Sequence, residues 1–202
     1  MNRQPDTPAP GIPVLPGTAL RAARCHEACG PGATGFACVL AARLGGDVLW
    51  ITERWRPERL NPVGYSRFAD PARLVLARVK DQTEALAVAE DGLRAGAVAL
   101  VVVEIGQPLS LLAGRRLHLA AEAGQTTALC LIPQGMGSNA AETRWQCAPV
   151  FAPDDSTLQR WEIIKNKTGT LTAWTVKWDE EARRLDVVCA PGERPGLAGA
   201  PG

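Results

Sequence analysis

The residues best placed to do chemistry lie in one short run, C-G-P-G-A-T-G-F-A-C-V-L at positions 29–40. Gly30 and Gly35 stand at the spacing of a phosphate-binding loop, G-x-x-x-x-G-K-[ST], with Gly32 between them. In such a loop the backbone N–H groups cradle phosphate oxygens at a helix N-terminus. The two side chains that do the electrostatic part are replaced. Phe36 occupies the lysine position and Ala37 the position of the Mg²⁺-binding hydroxyl. Phosphoryl transfer rests almost wholly on positioned charge, so the sequence predicts a vestigial loop without ATP hydrolysis, a bound cofactor or any catalytic residue.

Other chemistry-bearing residues give less. Cys25, His26 and Cys29 invite a metal reading, but no second Cys/His pair has matching spacing. The six cysteines are expected to be buried thiols, and no metal is predicted. Glu53 and Glu104 end apolar runs, where acids serve metal and water activation in active enzymes and are otherwise solvated strand ends. His26 and His118 are the only histidines and belong to no nucleophile motif.

The elements that must position these residues read as an α/β domain. Short strands at 24–28, 47–52, 74–79, 97–104 and 127–132 alternate with helices at 82–95 and 109–123, as in βαβ units with a parallel sheet. After position 132 the pattern changes. Segments 143–150, 158–166, 171–178 and 184–188 alternate in polarity and have no long helix between them, so antiparallel strands are expected at the sheet edge. Trp145, Trp161, Trp174 and Trp178 lie there, and packing or a protein interface is their expected role. Residues 1–17 and 191–202 are rich in Pro and Gly and predict a flexible arm and tail around a domain at 18–190.

Net charge is +1, with 46% hydrophobic and 21% charged residues, which fits a globular chain with no global attraction to nucleic acid or membrane. No leader pattern or 20-residue apolar span occurs, so a cytoplasmic protein is expected.

Together these features resemble the RecA family. The carriers are G-P-x-x-x-G before the first helix, the acid-terminated strands at Glu53 and Glu104, Ile132-Pro133-Gln134, and Arg160 to Lys167, R-W-E-I-I-K-N-K. The resemblance implies a RecA-like fold, a mostly parallel central sheet flanked by helices with antiparallel strands at its C-terminal end. Within that group the chain looks most like ImuA proteins, on A-T-G-F-A at 33–37, V-L-W-I at 48–51 and W-T-V-K-W-D at 174–179. That resemblance implies a role in SOS mutagenesis and translesion synthesis. The implied partners are RecA, an ImuB-type relative of Y-family polymerases and an error-prone replicative-type polymerase. Lys165 and Lys167 match lysines that in RecA reach a neighbour's ATP, and are expected to reach outward to bind a partner. The regions matching RecA's DNA-binding loops, 106–109 and 135–142, are short, and the second has no Lys or Arg, so DNA contact is expected to be weak or indirect. Competing readings are an SOS cell-division inhibitor that binds the bacterial tubulin homologue, and a working recombination ATPase, which Phe36 and Ala37 disfavour.

Overall fold

The computed structural model of the chain describes residues 11–153 and 157–189. Two strands, β1 (Gly11–Leu15) and β2 (Thr18–Arg21), form a hairpin. A nine-stranded sheet carries the rest. Its strands are β3 (Cys25–Cys29), β4 (Val48–Glu53), β5 (Leu74–Val79), β6 (Leu100–Glu104), β7 (Thr127–Ile132), β8 (Thr143–Pro149), β9 (Gln159–Asn166), β10 (Ala173–Asp179) and β11 (Arg184–Cys189). The helices are α1 (Ala33–Leu44), α2 (Pro62–Ser66), α3 (Gln82–Ala95) and α4 (Leu111–Ala123).

The spatial order is β11-β10-β9-β8-β3-β7-β6-β4-β5. Pairing from β8 through β5 is parallel, and β9, β10 and β11 add antiparallel. The expected α/β class with a mostly parallel sheet is therefore present. One strand is corrected. The segment expected to open the antiparallel series, β8, pairs parallel with β3 and antiparallel with β9.

Both faces of the central parallel strands are covered, so β6 (LVVVE) and β7 (TALCLI) are almost wholly apolar. Val102, Leu129, Ala28 and Trp50 face α1 and the hairpin, while Val101, Val103, Cys130 and Ile51 face α3 and α4. The antiparallel part buries one face only. Trp145, Trp161, Trp174 and Val176 alternate inward with polar residues outward and join the α1 side.

The arm expected at 1–17 is corrected for residues 11–17. From Gly11 onward the chain is β1, whose Ile12, Val14 and Leu15 pack into the core with Leu20 of β2. Pro13 and Pro16 are compatible with a two-stranded ribbon because such a strand has a free edge. Residues 1–10 and the expected tail at 191–202 lie outside the described residues. No described helix is long and apolar enough to cross a membrane.

Candidate functional site

The glycine-rich loop joins β3 to α1 at the carboxyl end of the sheet, where α/β folds place ligands. Gly30 has φ +88°, and a Cβ there would stand 2.4 Å from the Cys147 carbonyl oxygen. Only glycine suits that backbone. β8 lies directly against the loop, and the Gly32 N–H donates to the Cys147 carbonyl at 2.9 Å. The Ala33 N–H donates to Gly30 and the Phe36 N–H to Gly32. Gln159 of β9 closes the same side, since Cβ atoms at Gly32 and Gly35 would meet its amide at 2.8 and 3.0 Å. Gln159 is itself fixed by the Trp161 indole N–H at 2.9 Å.

The two replaced positions are core residues. Phe36 is 1% exposed and sits between Trp145 and Trp161, with ring centroids 5.0 and 4.9 Å away. Trp174 stacks on Trp145 at 5.9 Å, and Ala37 is fully buried. Helix α1 thus turns position 36 inward, and an aromatic cluster stands where a lysine would have needed water or phosphate. The expectation that these tryptophans pack is met for Trp145, Trp161 and Trp174. Trp178 is half-buried, against Phe68 at 5.0 Å.

Beside the loop lies a cavity of about 600 Å³, lined by Thr34, Gly35, Trp50, Arg56, Tyr65 and Glu104 among others. Glu104 accepts from the Trp50 indole at 2.8 Å and the Thr52 hydroxyl at 2.9 Å, with Arg56 at 3.9 Å. Glu53 is buried and accepts from the Trp55 indole. The reading of solvated strand ends is corrected: both acids are clamped acceptors. Tyr65 is buried with no hydrogen-bond partner for its hydroxyl among the described residues, and burial pushes that hydroxyl up to about 12. The sequence reading missed α2, which brings Tyr65 here. Asn61 at the cap followed by Pro62 at the first helical position was the available signal.

Cys25, His26 and Cys29 do not converge. Cys25 and Cys29 pack on the α3–α4 side, with Cys25 and Cys130 sulfurs 3.8 Å apart. Among the described residues no three His, Cys, Asp or Glu side chains could hold a metal ion together. His26 is fully buried, between the Thr143 hydroxyl (2.8 Å) and the Arg21 carbonyl (2.9 Å). The carbonyl accepts only, so Nε2 carries the proton and Nδ1 accepts from Thr143. Thr143 in turn accepts from Trp145 at 3.0 Å. Burial lowers the His26 pKa to about 4.

Lys165 and Lys167 differ from their expected outward reach. The Lys165 ammonium donates to the carbonyls of Asn139 (3.1 Å) and Ala141, and Lys167 to Ala140 at 2.7 Å. Partial burial, then the charge of Lys167, lowers the Lys165 pKa. Buried Glu27 holds the same loop through the Ser138 N–H and Arg144, each at 2.7 Å. The loop at 135–142 has no cation of its own, and Arg144 of β8, Lys165 of β9 and Lys167 just past the end of β9 hold its carbonyls instead. A β-bulge between Arg144 and Trp145 sets the register there.

No family model matches the chain. It is 33% identical over 160 residues to "Protein ImuA" of Caulobacter vibrioides strain NA1000 / CB15N, covering 70% of this chain and 64% of that protein. The protein of the same name from strain ATCC 19089 / CIP 103742 / CB 15 gives the same values. Over that span the chain is similar to ImuA proteins. It spans a little under two thirds of the length of these ImuA relatives.

Proposed function

We propose that this chain is a RecA-like, non-catalytic adaptor in SOS-induced, error-prone translesion DNA synthesis. It works by contacts with RecA and with a complex of an ImuB-type polymerase relative and an error-prone replicative-type polymerase. Similarity to ImuA proteins supports the cellular role. The observation that carries the non-catalytic part is the packing of Phe36 between Trp145 and Trp161, with the Gly32 N–H taken by the Cys147 carbonyl. A loop with those commitments lacks the charge that phosphoryl transfer uses, and its Gly32 amide is already taken.

Lys165 and Lys167 are the residues proposed for the RecA contact. Because both clasp residues 139–141, the lysines and that loop act as one surface, and Lys167 keeps 39% of its side chain exposed. The test uses purified partners. Replacing both charges, Lys165→Ala with Lys167→Ala, should abolish ATP-dependent binding to RecA filaments. Amide exchange at 138–142 reports separately on loosening of the loop. Binding to RecA with unchanged affinity and unchanged ATP dependence in the double variant overturns this contact. Failure of wild-type protein to bind either RecA or the ImuB-type partner overturns the adaptor reading.

A further inference from the structure

The loop from β4 to α2 opens with Arg54-Trp55-Arg56-Pro57-Glu58-Arg59, three arginines and a tryptophan in six residues. Trp50, Trp145, Trp161 and Trp174 are buried, whereas Trp55 is 63% exposed. Exposing so large an apolar ring forgoes burial that the other tryptophans obtain. Nor is the ring loose. Its N–H donates to Glu53, and the Arg56 guanidinium lies over the ring, 5.4 Å from the centroid. The sole indole donor is therefore occupied and one face is covered. What Trp55 offers is its other face, in a fixed orientation, and a ring already held loses little freedom when it binds.

Cations surround it. Arg54 and Arg59 are exposed, and their guanidinium groups make no ion pair among the described residues. Arg78 donates to the Arg54 carbonyl at 2.6 Å, bringing a third guanidinium to the same end of β4 and β5. The nearby carboxylates of Glu53 and Glu104 are clamped, which leaves Glu58 as the exposed acid of the loop. A chain of net charge +1 thus concentrates uncommitted positive charge around one flat aromatic face.

We propose that this loop binds single-stranded nucleic acid, with a base stacked on the open face of Trp55 and with Arg54 and Arg59 on the flanking phosphates. Every base has a π-face and every linkage a phosphate, so the site needs no sequence preference. A protein partner anchored on tryptophan uses the indole N–H as well as the ring. Here that donor is already used inside the chain, which favours a ligand that takes only a ring face and fixed cations. The site is small, a single stacking position with a few cations, so affinity falls in the micromolar range of non-specific binding. This inference is independent of the adaptor reading.

The test is fluorescence anisotropy of a labelled oligo-dT with the full chain at 50 and 200 mM salt. Wild type should bind in the micromolar range at the lower salt. Trp55→Ala should weaken binding about tenfold or more, and Trp55→Tyr should restore most of it, since an aromatic face is what the base needs. Arg54→Ala with Arg59→Ala should flatten the log–log salt dependence by about 1.4, the loss of two single-strand phosphate contacts. Far-UV circular dichroism identifies any variant that fails to fold, and Trp55→Tyr then carries the comparison. Wild type that does not bind the oligonucleotide, or that binds as tightly with alanine at position 55, overturns the proposal. Displacement of the oligonucleotide by poly-glutamate at equal charge, or equal affinity for duplex DNA, overturns the assignment to a stacked single strand.

Discussion

Two loops leave the carboxyl ends of parallel strands in this sheet, and they have gone opposite ways. The loop after β3 keeps the glycines of a phosphate site, yet β8 and β9 pack against one side of it while its other side borders the cavity. Cys147 takes the Gly32 amide, Gln159 crowds Gly32 and Gly35, and Phe36 fills the core. The loop after β4 carries no familiar motif, yet it sets Trp55 and free arginines toward solvent. Glycine spacing therefore reports backbone shape, because close approach and positive φ demand it. Whether the loop can act on a ligand depends on the side chains beside it and on which way the helix turns them.

That contrast can be broken most severely at position 36. Restoring the motif by Phe36→Lys should destabilise the protein by several kcal/mol, a large share of a typical domain's stability, because the amine must deprotonate inside the aromatic cluster and the ring's packing is lost. Phe36→Leu, which keeps an apolar side chain, should lower stability by only about 1–2 kcal/mol, read from urea unfolding midpoints. A Phe36→Lys protein as stable as wild type would mean the cluster tolerates a charge.

A smaller effect is expected at His26, on the strand that feeds the glycine-rich loop. Its folded pKa of about 4 lies below the 6.5 of an unperturbed histidine, so the unfolded state binds more protons between these values. Stability is then present above pH 6.5 and is lost as pH falls toward 4, by about 3 kcal/mol. Urea unfolding from pH 7 to pH 4 should show this slope, and His26→Asn should remove most of it. An identical slope in the variant would assign the acid sensitivity elsewhere. The smallest effect belongs to the open loop, where Trp55→Ala should lower the unfolding free energy by about 1 kcal/mol, mostly through the donor that buried Glu53 loses. A loss of several kcal/mol would make Trp55 a packing residue.

Much of the fold was legible in the sequence because it rests on hydrophobic period. The β5, α3 and β7 limits coincide with the apolar patterns at 74–79, 82–95 and 127–132. The β1–β2 hairpin was not legible, because Pro13, Pro16, Gly11 and Gly17 outweigh a four-residue alternation that matters only once it packs on α1. The loss of Lys and Ser/Thr at 36 and 37 was legible as chemistry. Its consequence, an aromatic cluster, was not, since it depends on β8 and β9 arriving more than 100 residues later. The Lys165–Lys167 geometry was hidden for the same reason, because a bulge in β8 and the loop at 139–141 decide where those ammonium groups go. Trp55 and Trp161 are the same residue type, and pattern alone does not tell an exposed indole from a buried one.

ATP turnover by the purified full chain tests most directly whether the glycine-rich loop is the packing element proposed above or a catalytic one. With millimolar Mg²⁺-ATP, phosphate release should equal that of buffer alone, because no lysine or Mg²⁺-binding hydroxyl stands at positions 36 and 37. Saturable turnover above that level, abolished in a Gly35→Val protein shown to be folded, would contradict the packing role.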